Sequence, residues 1–127
     1  MTGKLTSGTG RAAKFLSLDW VQSRIYEKFG FIPYKGTLNL VIDESNSENY
    51  RKYVLRHPGV YVDPVSKGYS SGMFFRVRID GRILGAIVIP QVLGYPRDRV
   101  EIVAPVNLRD RLGLKDGDEI AIEILDN

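Results

Sequence analysis

Gly36-Thr37-Leu38-Asn39 is the run in this sequence whose residue types and spacing speak most directly of chemistry. On an extended chain Thr37 and Asn39 project from one face while Leu38 projects from the other. A hydroxyl oxygen and an amide oxygen then stand side by side. Both are neutral, hard donors, suited to a Mg²⁺ ion that keeps most of its waters and also binds phosphate oxygens. Gly36, lacking a Cβ, lets a phosphate or a flat ring system approach the backbone closely. The same pair serves equally as the wet face of an edge strand.

Other groups could join such a site. Gly8-Thr9-Gly10-Arg11-Ala12-Ala13 is a small, glycine-rich stretch whose consecutive backbone N–H groups can surround an anion, and it is equally a plain loop. It formally matches G-x-G-x-x-A, but a dinucleotide fingerprint needs a buried apolar strand before the first glycine. Lys4-Leu5-Thr6-Ser7 reads as too polar for that, and the chain lacks repeated strand–helix alternation. Asn107-Leu108-Arg109 opens a short helix, where N–H groups and a guanidinium can hold an anion; a helix cap and a surface charge explain Asn107 and Arg109 as well. Glu101 projects from a strand opposite Val100 and Ile102, as a surface carboxylate or as a weak candidate for a catalytic group. His57 reads as a loop residue. The seven tyrosines read as rim or core, one of them free to stack on a ring. Leu114-Lys115-Asp116-Gly117-Asp118-Glu119 reads as a structural turn.

Composition removes several chemistries. The 127 residues include no cysteine and one histidine, which excludes disulfide scaffolds, thiolate metal sites, iron–sulfur clusters and thiol nucleophiles. Any metal is then a hard, oxygen-ligated cation. Eighteen basic against fifteen acidic residues give a net charge of +3, as compatible with an anionic small ligand as with DNA. No apolar run approaches the roughly 20 residues of a membrane span, and residues 1–5 lack a signal-peptide core. A cytoplasmic protein is the expectation.

The elements that must hold these groups are short. Ser17 is placed to cap a helix in which Val21, Ile25 and Phe29 form an apolar stripe widened by Trp20, ended by Gly30 and Pro33. A strand follows, with Leu38, Leu40 and Ile42 on its inner face and its end at Asp43. A short helix over 48–56 ends at His57-Pro58-Gly59, and 59–72 is an irregular excursion. Phe75, Val77 and Ile79 alternate towards an Asp80-Gly81 hairpin turn; the return strand 83–89 is apolar enough to be buried on both faces. Strand 100–103, a helix over 108–112 capped by Asn107 and closed by Gly113, and a last strand carrying Ile120, Ile122 and Ile124 complete the chain. Many short strands with few helices predict a mainly β, single-domain closed barrel spanning residues 1–127, with one longer helix and one or two short ones.

The order of these segments resembles the archaeal CTP-dependent riboflavin kinases. The resemblance is carried by Ser7-Gly8-Thr9-Gly10, Phe15-Leu16-Ser17-Leu18 and, most specifically, Phe31-Ile32-Pro33-Tyr34-Lys35-Gly36-Thr37-Leu38-Asn39. Gly85-Ala86-Ile87-Val88-Ile89-Pro90, Val100-Glu101-Ile102-Val103-Ala104-Pro105 and Leu108-Arg109-Asp110-Arg111-Leu112 continue it, so that it runs from about residue 3 to 124. It implies a cradle-loop barrel that transfers a phosphoryl group from CTP to the ribityl 5′-hydroxyl of riboflavin, giving FMN and CDP with Mg²⁺ as cofactor. Residue by residue, it assigns Gly8, Thr9, Gly10, Arg11, Ala12, Ala13, Val106, Asn107, Leu108 and Arg109 to the nucleotide, Thr37 and Asn39 to Mg²⁺, and Glu101 to the flavin. Two positions depart from the family pattern: Ala12 stands where members often carry glycine, and Leu93 stands where a threonine near the flavin is usual.

Phosphoryl transfer needs positioning and charge neutralisation more than a covalent nucleophile, which a chain of this composition can supply. Two other readings compete. Leu-Lys-Asp-Gly-Asp turns also occur in small swapped-hairpin barrels that bind nucleic acid, although those are shorter, dimeric, and have no use for residues 36–39. A flavin-binding module without turnover is the third, and suits Leu93. The kinase reading carries the expectation of a monomer with no nucleic-acid partner.

Overall fold

The computed structural model describes residues 1–8, 11–43, 46–64, 68 and 70–126. Seven strands form one antiparallel sheet: β1 Thr2–Thr6, β2 Leu38–Val41, β3 Val60–Val62, β4 Gly72–Ile79, β5 Ile83–Pro90, β6 Arg99–Val103 and β7 Glu119–Ile124. Their order is β3-β4-β5-β6-β2-β1-β7, and β7 returns to pair with β4. The six strands from β4 to β7 in that order therefore close on themselves, and β3 is an extra strand outside the ring. Closure removes the free edges that an open sheet of this size would present.

Alternation divides the side chains between two cores. Leu38, Leu40, Val77, Ile87, Ile102 and Ile122 point inwards and fill the barrel. The outer face of β4, β5 and β6 carries Phe74, Ala86 and Val103, and a second cluster covers them. That cover is α1 Arg11–Leu16 followed by α2 Asp19–Phe29. Val21, Ile25 and Phe29 are the buried stripe of α2, each contributing roughly 1.5–3 kcal/mol of burial. Trp20 widens the stripe, edge-on to Phe15 at 5.8 Å. Gly30 ends α2 in the left-handed conformation (φ 81°).

Several details differ from expectation. Ser17 does not cap α2: its Oγ donates to Ala13 O at 2.6 Å, closing α1, and Leu18 stands at the N-cap with no side-chain bond. Residues 4–6 lie in β1 despite their polar character, because Lys4 faces solvent while Gly3 and Leu5 are buried. The dinucleotide fingerprint fails on topology, since β1 pairs antiparallel with β2 and β7. The Thr37–Asn39 run leads into a strand flanked on both sides, by β1 and β6, so it is not an edge. Strand β5 is covered on both faces only in part, as Leu84 is exposed. Among the described residues the helices number four, the remaining two being α3 Ser47–Leu55 and α4 Leu108–Leu112.

The second half follows expectation closely. Asp80 and Gly81 both have positive φ (53° and 67°), and Arg82 N donates to Ile79 O at 3.0 Å, turning the chain in the three residues between Ile79 and its partner Ile83. Asn107 Oδ1 accepts from Asp110 N at 3.3 Å, and Gly113 closes α4 in the left-handed region (φ 64°). No helix among the described residues is long and apolar enough to cross a membrane.

Candidate functional site

The site lies outside the barrel, on the face that α1 only partly covers. In the β2–β6 register Asn39 stands opposite Glu101, and in β5–β6 Val88 stands opposite Glu101. Asn39 also faces Thr6 of β1. Because Leu38 and Leu40 enter the barrel, Asn39 projects outwards, yet it is 7% exposed, the one buried polar residue among those described. A buried amide demands partners: Asn39 Nδ2 donates to Thr37 Oγ1 at 3.2 Å and to Thr37 O at 3.4 Å. Gly8 packs directly on this amide, and a Cβ there would collide with it.

A larger and a smaller cavity flank residues 36 and 37. The larger, about 760 Å³, is lined by Gly8, Ala12, Ala13 and Phe15 on one side. Thr37, Asn39 and Glu101 form its floor, with Tyr95 and Arg99 at its far end. Its volume falls within the roughly 300–1,000 Å³ of sites that enclose a cofactor-sized ligand. The smaller, about 190 Å³, lies between residues 34–38 and the start of α4, with Val106, Asn107, Leu108 and Arg109 on its wall. Gly36 and Thr37 line both, so the two cavities are neighbours across this pair of residues.

A hydrogen-bond chain joins the start of the glycine stretch to α4. Arg109 Nη2 donates to Asp116 Oδ1 at 2.6 Å and to Thr6 O at 3.1 Å, while Ser7 Oγ donates to Asp116 Oδ2 at 2.8 Å. The hydrogen bonds from Arg109 and Ser7 hold the Asp116 carboxyl below the usual carboxylate range. On the opposite wall, Asn107 Nδ2 donates to Tyr34 Oη at 3.1 Å, and Tyr34 N donates to Ala104 O at 2.7 Å, seating residues 34–36 against the end of β6.

Of the residues expected to bind nucleotide, Gly8, Ala12 and Ala13 line the large cleft, whereas Val106 to Arg109 line the small one. They share no cavity; what links them is the contact of Arg109 with Thr6 and, through Asp116, Ser7. Thr9, Gly10 and the Arg11 side chain lie outside the described residues. Thr37, Asn39 and Glu101 come together on the floor as expected. Leu93 is fully exposed and does not line the cleft. Asp116 was legible only as a turn residue, since its bond to Ser7 spans 109 positions. Arg99 and the Tyr95–Glu101 contact carry no local signal either, because the cross-strand neighbours that give them a setting are defined by the barrel.

The donor set fits a hard cation. No group of three or more His, Cys, Asp or Glu that could hold a metal is present among the described residues; Thr37 and Asn39 offer neutral oxygens. A half-turn of the Asn39 amide exchanges Nδ2 for Oδ1 beside Thr37 Oγ1, giving two such oxygens about one hydrogen-bond length apart. Two protein oxygens with the remaining positions left to water and phosphate is how Mg²⁺ is commonly bound.

Comparison with known proteins gives relatives over nearly the whole chain. A riboflavin kinase of Pyrobaculum arsenaticum is 41% identical over 128 residues, covering 98% of this chain and 60% of the relative. Riboflavin kinases of Archaeoglobus fulgidus and Methanosarcina barkeri are 38% and 34% identical, covering 53% and 56% of those relatives. The chain thus spans between half and two thirds of the length of these relatives. The model of the CTP-dependent riboflavin kinase family, a domain of unknown function (DUF120), matches residues 5–124, and with nearly its whole length accounted for the chain belongs to that family.

Proposed function

We propose that residues 1–127 form a riboflavin kinase domain that transfers the γ-phosphoryl group of CTP to the ribityl 5′-hydroxyl of riboflavin, releasing FMN and CDP. The observation that carries this reading is that Gly36 and Thr37 line both a large and a small cavity. Transfer between two bound substrates needs their reacting ends to meet in line, and a shared wall built from a glycine and a hydroxyl is a suitable meeting point. The large cleft, with Phe15, Phe74 and Val88 beside Glu101, Asn39 and Tyr95, offers apolar surface for a ring system and polar groups for a polyhydroxyl chain.

On the nucleotide side, the Arg109 guanidinium and the first N–H groups of α4 neutralise phosphate charge. Gly8, Ala12 and Ala13, which line the large cleft, contact the phosphates, and Thr9, Gly10 and Arg11 share that assignment as members of the same stretch of sequence. Thr37 and Asn39 hold Mg²⁺. When bound, that ion offsets charge on the transferring phosphoryl group. Glu101 accepts a hydrogen bond from the ribityl chain; as a base it has little to do, because a loose transition state asks little of one. The domain acts as a cytoplasmic monomer, with riboflavin/FMN and CTP/CDP as its partners and no role for nucleic acid.

The test is chromatography of riboflavin incubated with the protein, Mg²⁺ and either CTP or ATP. FMN formed with CTP and little with ATP is the expected result. No FMN with any triphosphate overturns the assignment. Titration with riboflavin and with DNA over a range of salt then separates a flavin module from a nucleic-acid barrel, whose affinity would fall steeply with salt.

A further inference from the structure

Tyr95 places its polar group on another residue of the same cleft. It stands in the segment between β5 and β6, where Gly94 adopts a left-handed conformation (φ 84°) and Tyr95 N donates to Val92 O at 3.2 Å. This turn folds the half-buried ring back over the floor, and the Tyr95 hydroxyl donates a 2.7 Å hydrogen bond to Glu101 Oε2. Burial and the adjoining carboxylate hold that hydroxyl well above the usual phenol range, so it remains a donor at every pH at which the protein works. Glu101 Oε1 has no hydrogen-bond partner among the described residues.

Resting on the reading of the large cleft as the flavin site, we infer that Tyr95 is a positioning residue, which fixes Glu101 by one oxygen and leaves the other to accept from a ribityl hydroxyl. A glutamate on a strand has three rotatable bonds, and ordering them on ligand binding costs free energy that a preformed contact removes in advance. Without the hydroxyl, Glu101 has Arg99 as an alternative partner, two positions earlier on the same strand face and lining the same cleft. A carboxylate drawn to that guanidinium is less available to substrate. The role acts through Glu101; Tyr95 need not touch the reacting atoms.

The test is a double-mutant cycle of Tyr95→Phe and Glu101→Ala. Riboflavin binding is read by flavin fluorescence without nucleotide, and turnover by chromatography. Tyr95→Phe is expected to raise riboflavin Kd and KM roughly tenfold, the scale of a hydrogen bond to a charged group. The nucleotide KM should stay within about twofold and the melting temperature nearly unchanged, since the ring is kept. In the Glu101→Ala background the same substitution should change riboflavin Kd by less than about twofold. An unchanged Kd in Tyr95→Phe overturns the inference, as does an equal loss in both backgrounds. A parallel weakening of flavin and nucleotide with a lowered melting temperature also overturns it, assigning Tyr95 to packing. If the unsubstituted protein neither binds riboflavin nor forms FMN, the reading of the cleft itself fails, and the inference falls with it.

Discussion

Arg109 and Asp116 face each other at 2.6 Å, and through this contact the N-terminus of α4 is held against the turn that enters β7. The same carboxylate takes the Ser7 hydroxyl on its other oxygen, so one aspartate sets the spacing between the small cavity and the glycine stretch. Asp116→Ala is expected to raise the nucleotide KM about three- to tenfold while leaving the riboflavin KM nearly unchanged. Arg109→Ala should raise it further, because it removes the cation itself, and Arg109→Lys should restore only part, having charge without the planar fork. Steady-state kinetics with each substrate varied in turn checks this. An unchanged nucleotide KM in Arg109→Ala removes the residue from the site.

The lowered pKa of Asp116 has a defined sign. A carboxyl whose folded-state pKa lies below its unfolded value adds stability above the ordinary carboxylate range, and that part is lost as pH falls through the folded value. Asp116→Asn should therefore lower stability slightly above the carboxylate range, where the ionised contact is lost, and converge with the unsubstituted protein at acid pH, which flattens the acid side of the profile. The group is exposed, so the change is small. Melting temperatures of both proteins from pH 7 down to pH 3 test it; parallel curves would show that the contact does not alter the titration.

Thr37→Val keeps the branched shape and removes the hydroxyl. Turnover should fall at least tenfold, the loss should deepen at limiting Mg²⁺, and stability should fall by about 1 kcal/mol because the buried Asn39 amide loses an acceptor. Asn39→Ala should fall as far, but because Asn39 is buried and hydrogen-bonded it should also cost about 1–3 kcal/mol of stability. Full activity of Thr37→Val at limiting Mg²⁺ would show that the metal is held elsewhere.

Gly8→Ala tests the packing of the glycine stretch on the Asn39 amide. The added Cβ meets the Asn39 amide, so Asn39 must turn away. Activity should drop at least tenfold while the melting temperature changes by no more than a few degrees, as Gly8 is exposed. Wild-type kinetics in this variant would separate Gly8 from the site.

Gly85→Ala is the contrasting case, a glycine required by the barrel. Its Cβ would run into the carbonyl of Val103 on the neighbouring strand, which cannot move without breaking the β5–β6 ladder. Destabilisation of about 1–3 kcal/mol is expected. Chemical denaturation gives the value, and a neutral result would mean the two strands can separate locally.

Residue types and local spacing were sufficient for α4 with its Asn107 and Gly113 caps, for the Asp80-Gly81 hairpin, and for the inward set Leu38, Leu40 and Ile42. Each depends on interactions within a few positions, and the 2- and 3.6-residue periods register them directly. The pairing of Thr37 with Asn39 was legible for the same reason. Tertiary structure decided the rest. A polar pair on a strand reads as solvated until β1 and β6 close on either side of it, and then Asn39 becomes a buried amide needing partners. Residues 2–6 look too polar for a strand until the barrel buries Gly3 and Leu5. Asp116 reads as a turn residue until closure of β7 against β1 brings it to Ser7. Tyr95 and Glu101 meet because the segment between β5 and β6 folds back over the sheet. Local chemistry prescribes which elements form and what each side chain can donate or accept. Which donors and acceptors meet follows from the order in which the strands close, and that order is set by contacts between residues far apart in the chain.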